Sequence, residues 1–387
     1  MDHLDTRVVW GGEDASLAHG GTQVPVQHSI AFGYEDVDSW LDVALGRADG
    51  HIYSRNTNPT VRAFERKIAD LEGAEHAIGF ASGMAAVSGT LFTLLSPGSR
   101  VVSVKDTYGG TNQLFIDILP RQKIDVDLCD TEDHEAVEKA IARGCDVLYL
   151  ETPTNPTLKV LDIRRLSAAA HAVGAVVVVD NTFATPINQQ PLALGADLVI
   201  HSASKFLGGH ADALGGALAG RKELVDRVYH FREITGAALS PHDAYMLLRG
   251  MKTLALRIER QNASAGRIAA WLETQDAVDA VFYPGLASNV GHEIAARQMS
   301  GFGGMLSFSL DGGFEAVRRF LPRLRLAHRA ANLGAVETIA GIPATTSHVE
   351  CTAEERAAMG IPEALVRLSV GIEDPDDLIA DLAQAMA

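Results

Sequence analysis

Cysteine is scarce in this 387-residue chain: Cys129, Cys145 and Cys351 are the whole supply. Three scattered thiols make no disulfide framework, and their spacing matches no zinc pattern. Basic side chains are in deficit, 33 Lys and Arg against 49 Asp and Glu, for a formal net charge of −16. That balance argues against nucleic acid or an anionic membrane as the main partner, although a local basic pocket can still hold a small anion. Long apolar runs are also missing. The longest, AVGAVVVVD, falls far short of the ~20 residues that a membrane span needs. The opening stretch, MDHLDTRVVWGGED, has no basic region followed by an apolar one, so no secretory signal is expected and a reducing cytoplasm is the expected setting. The fourteen histidines show no ligand spacing, and no metal is expected. His201 and His210, which flank a conspicuous lysine, read as structural.

What is present is an ordinary globular composition, 47% hydrophobic and 21% charged, in a chain long enough for two domains. Residues 1–56 are polar and weakly periodic and read as an arm. NPTVRAFERKIADLEG then reads as a helix: Pro59 suits the first turn, Val61, Phe64, Ile68 and Leu71 share a face, and Gly73 ends it. Over residues 57–250 strand-like and helix-like pieces alternate. HAIGF leads into SGMAAVSGTLFTLL, RVVSV into YGGTNQLFIDIL, and DVLYL into a Pro-rich loop and IRRLSAAAHAVG. AVVVVD, DLVIH and ALGGAL follow. Strands this uniformly apolar predict a mostly parallel sheet covered by helices on both faces, an α/β domain. From residue 251 to 387 a long helical run, MKTLALRIERQNASAGRIAAWLETQ, precedes short strands (AVFYP, GMLSFSL), which suits a smaller α+β domain.

In open α/β sheets ligands collect at the carboxyl ends of the strands. After HAIGF comes ASGMAA, where small residues and Gly83 open a helix whose free N–H groups can hold an anion. No Lys-Ser/Thr pair follows, so this is no nucleotide-binding P-loop. After RVVSV comes DTYGGT with Tyr108, after DVLYL comes ETPTNP with Asn155, and AVVVVD itself ends on Asp180. DLVIH is followed by SASK, which places Lys205 among small hydroxyl residues and glycines. Singly each has a bland reading: a turn glycine, a packed tyrosine, a capping aspartate, a solvated lysine. Together they supply an acid for a pyridine nitrogen, an aromatic to stack, an anion cradle and a lysine amine, the parts that pyridoxal phosphate requires.

In this order and spacing, YSRNTNPT, ASGMAA, YGGT, ETPTNP, VDNTF, HSASKFLGGH and VRLSVGIED resemble the Cys/Met-metabolism family of pyridoxal-phosphate enzymes over nearly the whole chain. The resemblance implies the fold-type I, aspartate aminotransferase-like architecture and a homotetramer built from two catalytic dimers. It implies that Lys205 carries the cofactor covalently and that Ser202 and Ser204, with the backbone of Gly83 and Met84, bind its phosphate. Tyr53 and Arg55 match a pair that reaches the phosphate from the neighbouring subunit, which gives the polar arm a purpose. Asp180 would pair with the pyridinium nitrogen, Tyr108 would stack on the ring and assist proton transfer, and Asn155 would bond the phenolic oxygen. Arg367 matches the arginine that clamps the substrate α-carboxylate, with Asn332 beside it.

Within the family, HIYSRNTNPT and REITGAALSPHDA are most similar to methionine γ-lyases. AANLGAVET carries Ala331 and Asn332 where enzymes acting on cystathionine have a glutamate and a serine, and Gln113 stands where they tend to have arginine. Gly110 replaces the cysteine of methionine γ-lyases. The expected reaction is γ-elimination on a sulfur amino acid. Cystathionine γ-lyase, cystathionine γ-synthase and O-acetylhomoserine sulfhydrylase chemistry are the alternatives, and a non-catalytic cofactor-binding scaffold is the alternative of another class.

Overall fold

A computed structural model describes residues 3–13, 17, 20–346, 349 and 352–387; Cys351 lies outside the described residues. The arm carries two short helices that its weak periodicity did not announce, α1 (Leu4–Trp10) and α2 (Val37–Ala44). Helix α3 (Pro59–Glu72) follows the sequence closely. Asn58 caps it by accepting from Thr60 and Val61 N–H, Pro59 occupies the first turn, and Gly73 ends it in the left-handed region at φ 67°. Val61, Phe64, Ile68 and Leu71 are all buried, as the shared face requires.

The first sheet contains β1 (His76–Phe80), β2 (Arg100–Val104), β3 (Asp125–Cys129), β4 (Val147–Glu151), β5 (Val176–Asp180), β6 (Leu198–Ser202) and β7 (Gly216–Gly220). Their spatial order is β1-β7-β6-β5-β4-β2-β3. Every pairing from β6 to β3 is parallel, and only β7 runs against its neighbours. Because β7 reverses twice, the carboxyl ends of β1, β4, β5 and β6 meet at one edge. The sheet is buried on both faces, which explains the unbroken Val/Leu/Ile runs. Strand β3 is an edge strand whose alternation of Asp and apolar residues differs from the buried runs that mark the others.

YGGTNQLFIDIL is not one α-helix but an α-helical turn (Gly109–Gln113), a π-helical turn (Leu114–Ile118) and a final short helix (Leu119–Arg121). The run from residue 251 is likewise divided: one helix ends at Met251, and a second spans Leu254–Leu272. The second helix joins the two halves of the molecule. Its Leu254, Ala255 and Ile258 pack in the core beneath the first sheet, while Ala265, Ile268, Ala269 and Leu272 pack in the core of the second. On the same helix buried Arg257 donates to the carbonyls of Phe206 and Leu207, at 2.7 and 3.2 Å, and so anchors the segment that follows Lys205.

The second sheet contains β8 (Val278–Phe282), β9 (Met305–Leu310), β10 (His328–Arg329), β11 (Ile339–Gly341) and β12 (Leu365–Ser369), in the order β10-β11-β12-β9-β8. It is antiparallel except for the short β10–β11 pair. Arg367 sits on its central strand, at 6% exposure in a run of buried neighbours. No helix among the described residues is long and apolar enough to cross a membrane.

Candidate active site

Register places the site. Glu151 on β4 is paired with Asp180 on β5, and Ser202 on β6 is paired through Gly216 to Phe80, the last residue of β1. Above this edge lies a cavity of about 370 Å³. Of the residues expected from sequence, Gly83, Met84, Tyr108, Asn155, Asp180, Ser202, Ser204, Lys205, Asn332 and Arg367 all line it. Tyr53 and Arg55 do not. Arg55 donates to the backbone carbonyl of Glu233 and lies 5.8 Å from the centre of the ring of Tyr53, itself 43% exposed, so within one chain the pair is engaged outside the cavity lining.

One end of the cavity suits an anion. The helix Gly83–Leu94 begins there, capped by Ser82, whose Oγ accepts from Ala85 N–H at 3.1 Å. The first N–H groups of that helix have no intrahelical acceptor, and the helix dipole adds positive potential. Gly83 is required by close approach: a Cβ there would lie 2.7 Å from the Cβ of Ser202. Ser202 and Ser204 follow β6 at the same end. Ser204 Oγ accepts from Gly215 N–H at 2.9 Å and donates to the Gly215 carbonyl at 3.2 Å, which fixes the hydroxyl at this end of the cavity. Thr182, not singled out from sequence, accepts from Ser202 N–H at 2.9 Å and ties this end to the next.

At the sheet edge stands Asp180. Its Oδ1 accepts from Thr182 N–H at 2.9 Å, and the Tyr149 hydroxyl reaches Oδ2 at 3.4 Å. Burial raises its pKa, against the opposing pull of the Thr182 hydrogen bonds. Its hydrogen-bond partners are neutral, and no ion pair holds it among the described residues. A cationic N–H presented from the cavity would complete its environment.

Lys205, Asn332, Arg367 and Asn155 form a chain of hydrogen bonds across the cavity. Lys205 Nζ donates to Asn332 Oδ1 at 2.7 Å, Arg367 Nη2 to the Asn332 carbonyl at 3.3 Å, and Arg367 Nη1 to Asn155 Oδ1 at 2.9 Å. Burial, and then the charge of Arg367, lower the pKa of Lys205 and so favour the neutral amine that a nucleophile or base needs. Burial also brings Arg367 down to about 10, still a cation at neutral pH. With Oδ1 committed to Arg367, Asn155 turns its Nδ2 donor toward other acceptors.

Tyr108 is 46% exposed at the cavity's edge. Its backbone N–H donates to Glu151 Oε2 at 2.7 Å. A Cβ on Gly110 would lie 2.9 Å from the Tyr108 ring and 3.0 Å from the Met84 sulfur, so any larger residue there forces one of them to move. Glu151 and Tyr149, like Thr182, are site residues that the sequence pattern did not single out. The available signal was a carboxylate terminating the otherwise apolar VLYLE strand. His201 is buried against Glu72 at 2.5 Å and His210 Nδ1 contacts the Gly208 carbonyl at 2.8 Å, structural placements for both. No cluster of potential metal ligands occurs among the described residues.

These residues fit pyridoxal phosphate on structural grounds. An anion cradle, whose glycine cannot carry a side chain, lies at one end of the cavity. A half-buried carboxylate without an ion-pair partner among the described residues lies at the sheet edge, and an amine of lowered basicity lies between them and the arginine.

The comparisons with known proteins agree with this fit. The family described as Cys/Met metabolism PLP-dependent enzyme matches residues 5–387. An L-methionine gamma-lyase of Fusobacterium nucleatum subsp. polymorphum is 43% identical over 99% of this chain and 98% of its own length. A cystathionine gamma-lyase of Bacillus subtilis (strain 168) is 41% identical over 98% of each. Among solved structures, the cystathionine gamma synthase from Xanthomonas oryzae pv. oryzae in complex with aminoacrylate and cysteine superposes with a TM-score of 0.94. It is 37% identical, and the match covers 100% of this chain and 98% of that one.

Proposed function

The chain belongs to the Cys/Met-metabolism family of PLP-dependent enzymes, with their fold-type I architecture, and from that premise we propose that it catalyses γ-elimination on L-methionine, releasing 2-oxobutanoate, methanethiol and ammonia. The observation that carries the choice of substrate is the charge inventory of the cavity. Its described lining holds two carboxyl and two basic side chains, Glu151 and Asp180, Lys205 and Arg367. Both carboxyls lie together at the strand ends, and the segment beside Arg367 contributes only Ala331, Asn332 and Leu333. No described carboxylate is left over for the distal ammonium of cystathionine, whereas the thioether methyl of methionine needs none.

Each residue then has a task. The N–H groups of Gly83 and Met84 and the hydroxyls of Ser202 and Ser204 hold the phosphate, Asp180 holds the pyridinium nitrogen, and Asn155 Nδ2 donates to the phenolic oxygen. Bound there, pyridoxal phosphate supplies the electron sink that stabilises negative charge on the substrate carbons. Arg367 clamps the substrate carboxylate with two parallel N–H donors, helped by Asn332. Lys205, its amine made less basic by burial and by Arg367, would take the α-proton and return protons to the substrate. Tyr108 covers the ring and gives its hydroxyl proton to the departing sulfur.

The arm belongs to the same reading. Tyr53 and Arg55 are not among the residues lining the cavity of their own chain, which supports their serving the phosphate of a second copy, in a homotetramer of two catalytic dimers working in the cytoplasm. The division is arm 1–56, cofactor domain 57–250 and small domain 251–387. Mixing Arg55→Ala and Lys205→Ala chains, each inactive alone, restores activity in hybrid dimers. Subunit exchange without recovery places the arm back in its own subunit.

Near-equal identity to a cystathionine gamma-lyase makes cystathionine the competing substrate. Incubating the purified enzyme with L-methionine, L-cystathionine, or O-acetyl-L-homoserine plus sulfide, and identifying products, decides among them. Methanethiol and 2-oxobutanoate from methionine at the highest kcat/KM are expected. A wide preference for cystathionine overturns the substrate assignment and leaves the cofactor chemistry standing.

A further inference from the structure

Glu151 is an expensive residue to place where it stands. It ends a strand of otherwise apolar side chains, is only 6% exposed, and is paired in register with a second carboxyl, Asp180. An unpaired buried carboxylate costs several kcal/mol, and two adjacent ones more. A Leu or Val would satisfy the packing of β4 as it does at the preceding positions. What Glu151 does instead is accept a backbone N–H from the loop after β2: Tyr108 N–H reaches its Oε2 at 2.7 Å.

Resting on the proposed role of Tyr108, we infer that Glu151 is a positioning residue, whose carboxyl fixes from the sheet the tyrosine that faces the cofactor ring. Tyr108 precedes a helix of one turn, its side chain makes no capping hydrogen bond, and its ring is half exposed. Its backbone carbonyl accepts only within that turn, from Asn112 N–H at 2.8 Å. The bond to Glu151 joins the tyrosine directly to the β4–β5 edge, and hence to the same reference frame as Asp180. Burial and the neighbouring Asp180 push the Glu151 carboxyl well above the usual range, which favours its neutral form, and an oxygen of either form accepts from Tyr108 N–H.

The test uses the holoenzyme and reads the cofactor chromophore as well as turnover. Glu151→Ala lowers kcat by about 10²-fold, the size expected when a reacting group is misplaced by an ångström, while KM moves less than about threefold. The visible circular dichroism of the bound cofactor falls, and cofactor is lost faster on dilution. Glu151→Gln, whose amide oxygen still accepts from Tyr108 N–H, recovers kcat at least tenfold over Glu151→Ala and regains the dichroic signal. Because the effect runs through Tyr108, adding Glu151→Ala to Tyr108→Phe costs less than about threefold more. If Glu151→Ala does not fold, Glu151→Met, similar in volume and without the oxygen, takes its place. An unchanged dichroic signal in the Ala or Met variant overturns the inference, as does full multiplication of its loss with that of Tyr108→Phe. Failure of Glu151→Gln to recover shows that charge, not the accepting oxygen, matters, and overturns it too. A wild-type protein with no bound chromophore strikes at the cofactor reading instead, so the two failures are told apart.

Discussion

The two walls of the cavity are built differently. One comes from the first sheet, where Glu151, Asp180 and Ser202 are the last residues of adjacent or near-adjacent parallel strands. Their spacing is set by ladder register, and a slip of one residue would turn every side chain over. The other wall comes from the second half of the molecule. There Arg367 alone sits on a strand, while Ala331, Asn332 and Leu333 lie on a connector between two short strands. On the proposed reading, the rigid wall carries the groups that hold the cofactor and do the chemistry. The looser wall carries those that bind the amino acid, Arg367 for its carboxylate and the connector for its side chain. Substitutions on the first should therefore remove the reaction, and substitutions on the second should redirect it.

The largest effect belongs to the first wall. Lys205→Ala should reduce turnover by about 10³-fold or more while the fold stays intact, because it removes both covalent anchor and base. Borohydride reduction of the native holoenzyme followed by peptide mapping should find the pyridoxyl group on Lys205; a label on another lysine breaks the assignment. A pH experiment sharpens it. Burial and Arg367 lower the pKa of Lys205 from 10.5, so its amine is protonated and inert below that lowered value and reactive above it. Acetylation of Lys205 in cofactor-free protein should rise with pH and level off before an ordinary surface lysine does. Coincident curves would show that the amine is not shifted.

Next comes Asp180→Asn. The amide keeps the volume and the Thr182 N–H contact but cannot carry the negative charge that holds a pyridinium proton. Loss of one preorganised electrostatic partner is worth about 10²–10³-fold in kcat. The bound chromophore should shift its absorption toward that of an unprotonated ring. A variant with native spectrum and rate would mean that Asp180 has another partner.

Much of the rigid wall was legible in the sequence because one physical rule exposes it: ligands gather where apolar strands end. Asp180 after four valines, Lys205 after DLVIH and Gly83 after HAIGF could all be read that way. Glu151 obeys the same rule and was passed over, because attention fell on the polar loop after it rather than on the last strand residue. Strand β3 escaped because an edge strand alternates Asp with apolar residues and lacks the buried run that marks its neighbours. The break at Lys252–Thr253 escaped because hydrophobic periodicity continues on both sides of it. The looser wall was legible only through resemblance. Nothing in the local pattern of RAANLGAVET brings Asn332 to Lys205; that contact depends on how the second sheet docks on the first.

On that second wall, Arg367→Lys should be felt mainly in KM. It replaces a planar two-pronged donor with a point charge and loses one charge-assisted hydrogen bond, worth about 1.5–3 kcal/mol. That converts to about 10–100-fold weaker substrate binding, with kcat falling less. The native contact to Asn155 is lost in the same step, so the chromophore band that reports the phenolic oxygen should move slightly. A fall confined to kcat would place Arg367 among the groups of the reaction rather than of recognition.

The smallest effect is the most discriminating. Ala331→Glu puts a carboxylate on the connector beside Asn332, where the described lining has no acid. A new charge-assisted hydrogen bond to the distal ammonium of cystathionine gains about 1.5–3 kcal/mol, but desolvating the carboxylate and the ammonium as they pair takes part of that back. The net swing should be about 1 kcal/mol, roughly a fivefold shift in the ratio of kcat/KM toward cystathionine. Lys205 and Asp180 are untouched, so the chromophore and its pH behaviour should stay as they are. Steady-state kinetics of both proteins on both substrates reads the ratio directly. A variant that loses both activities together would show that the connector supports the rigid wall after all, and the division of labour between the two walls would fail.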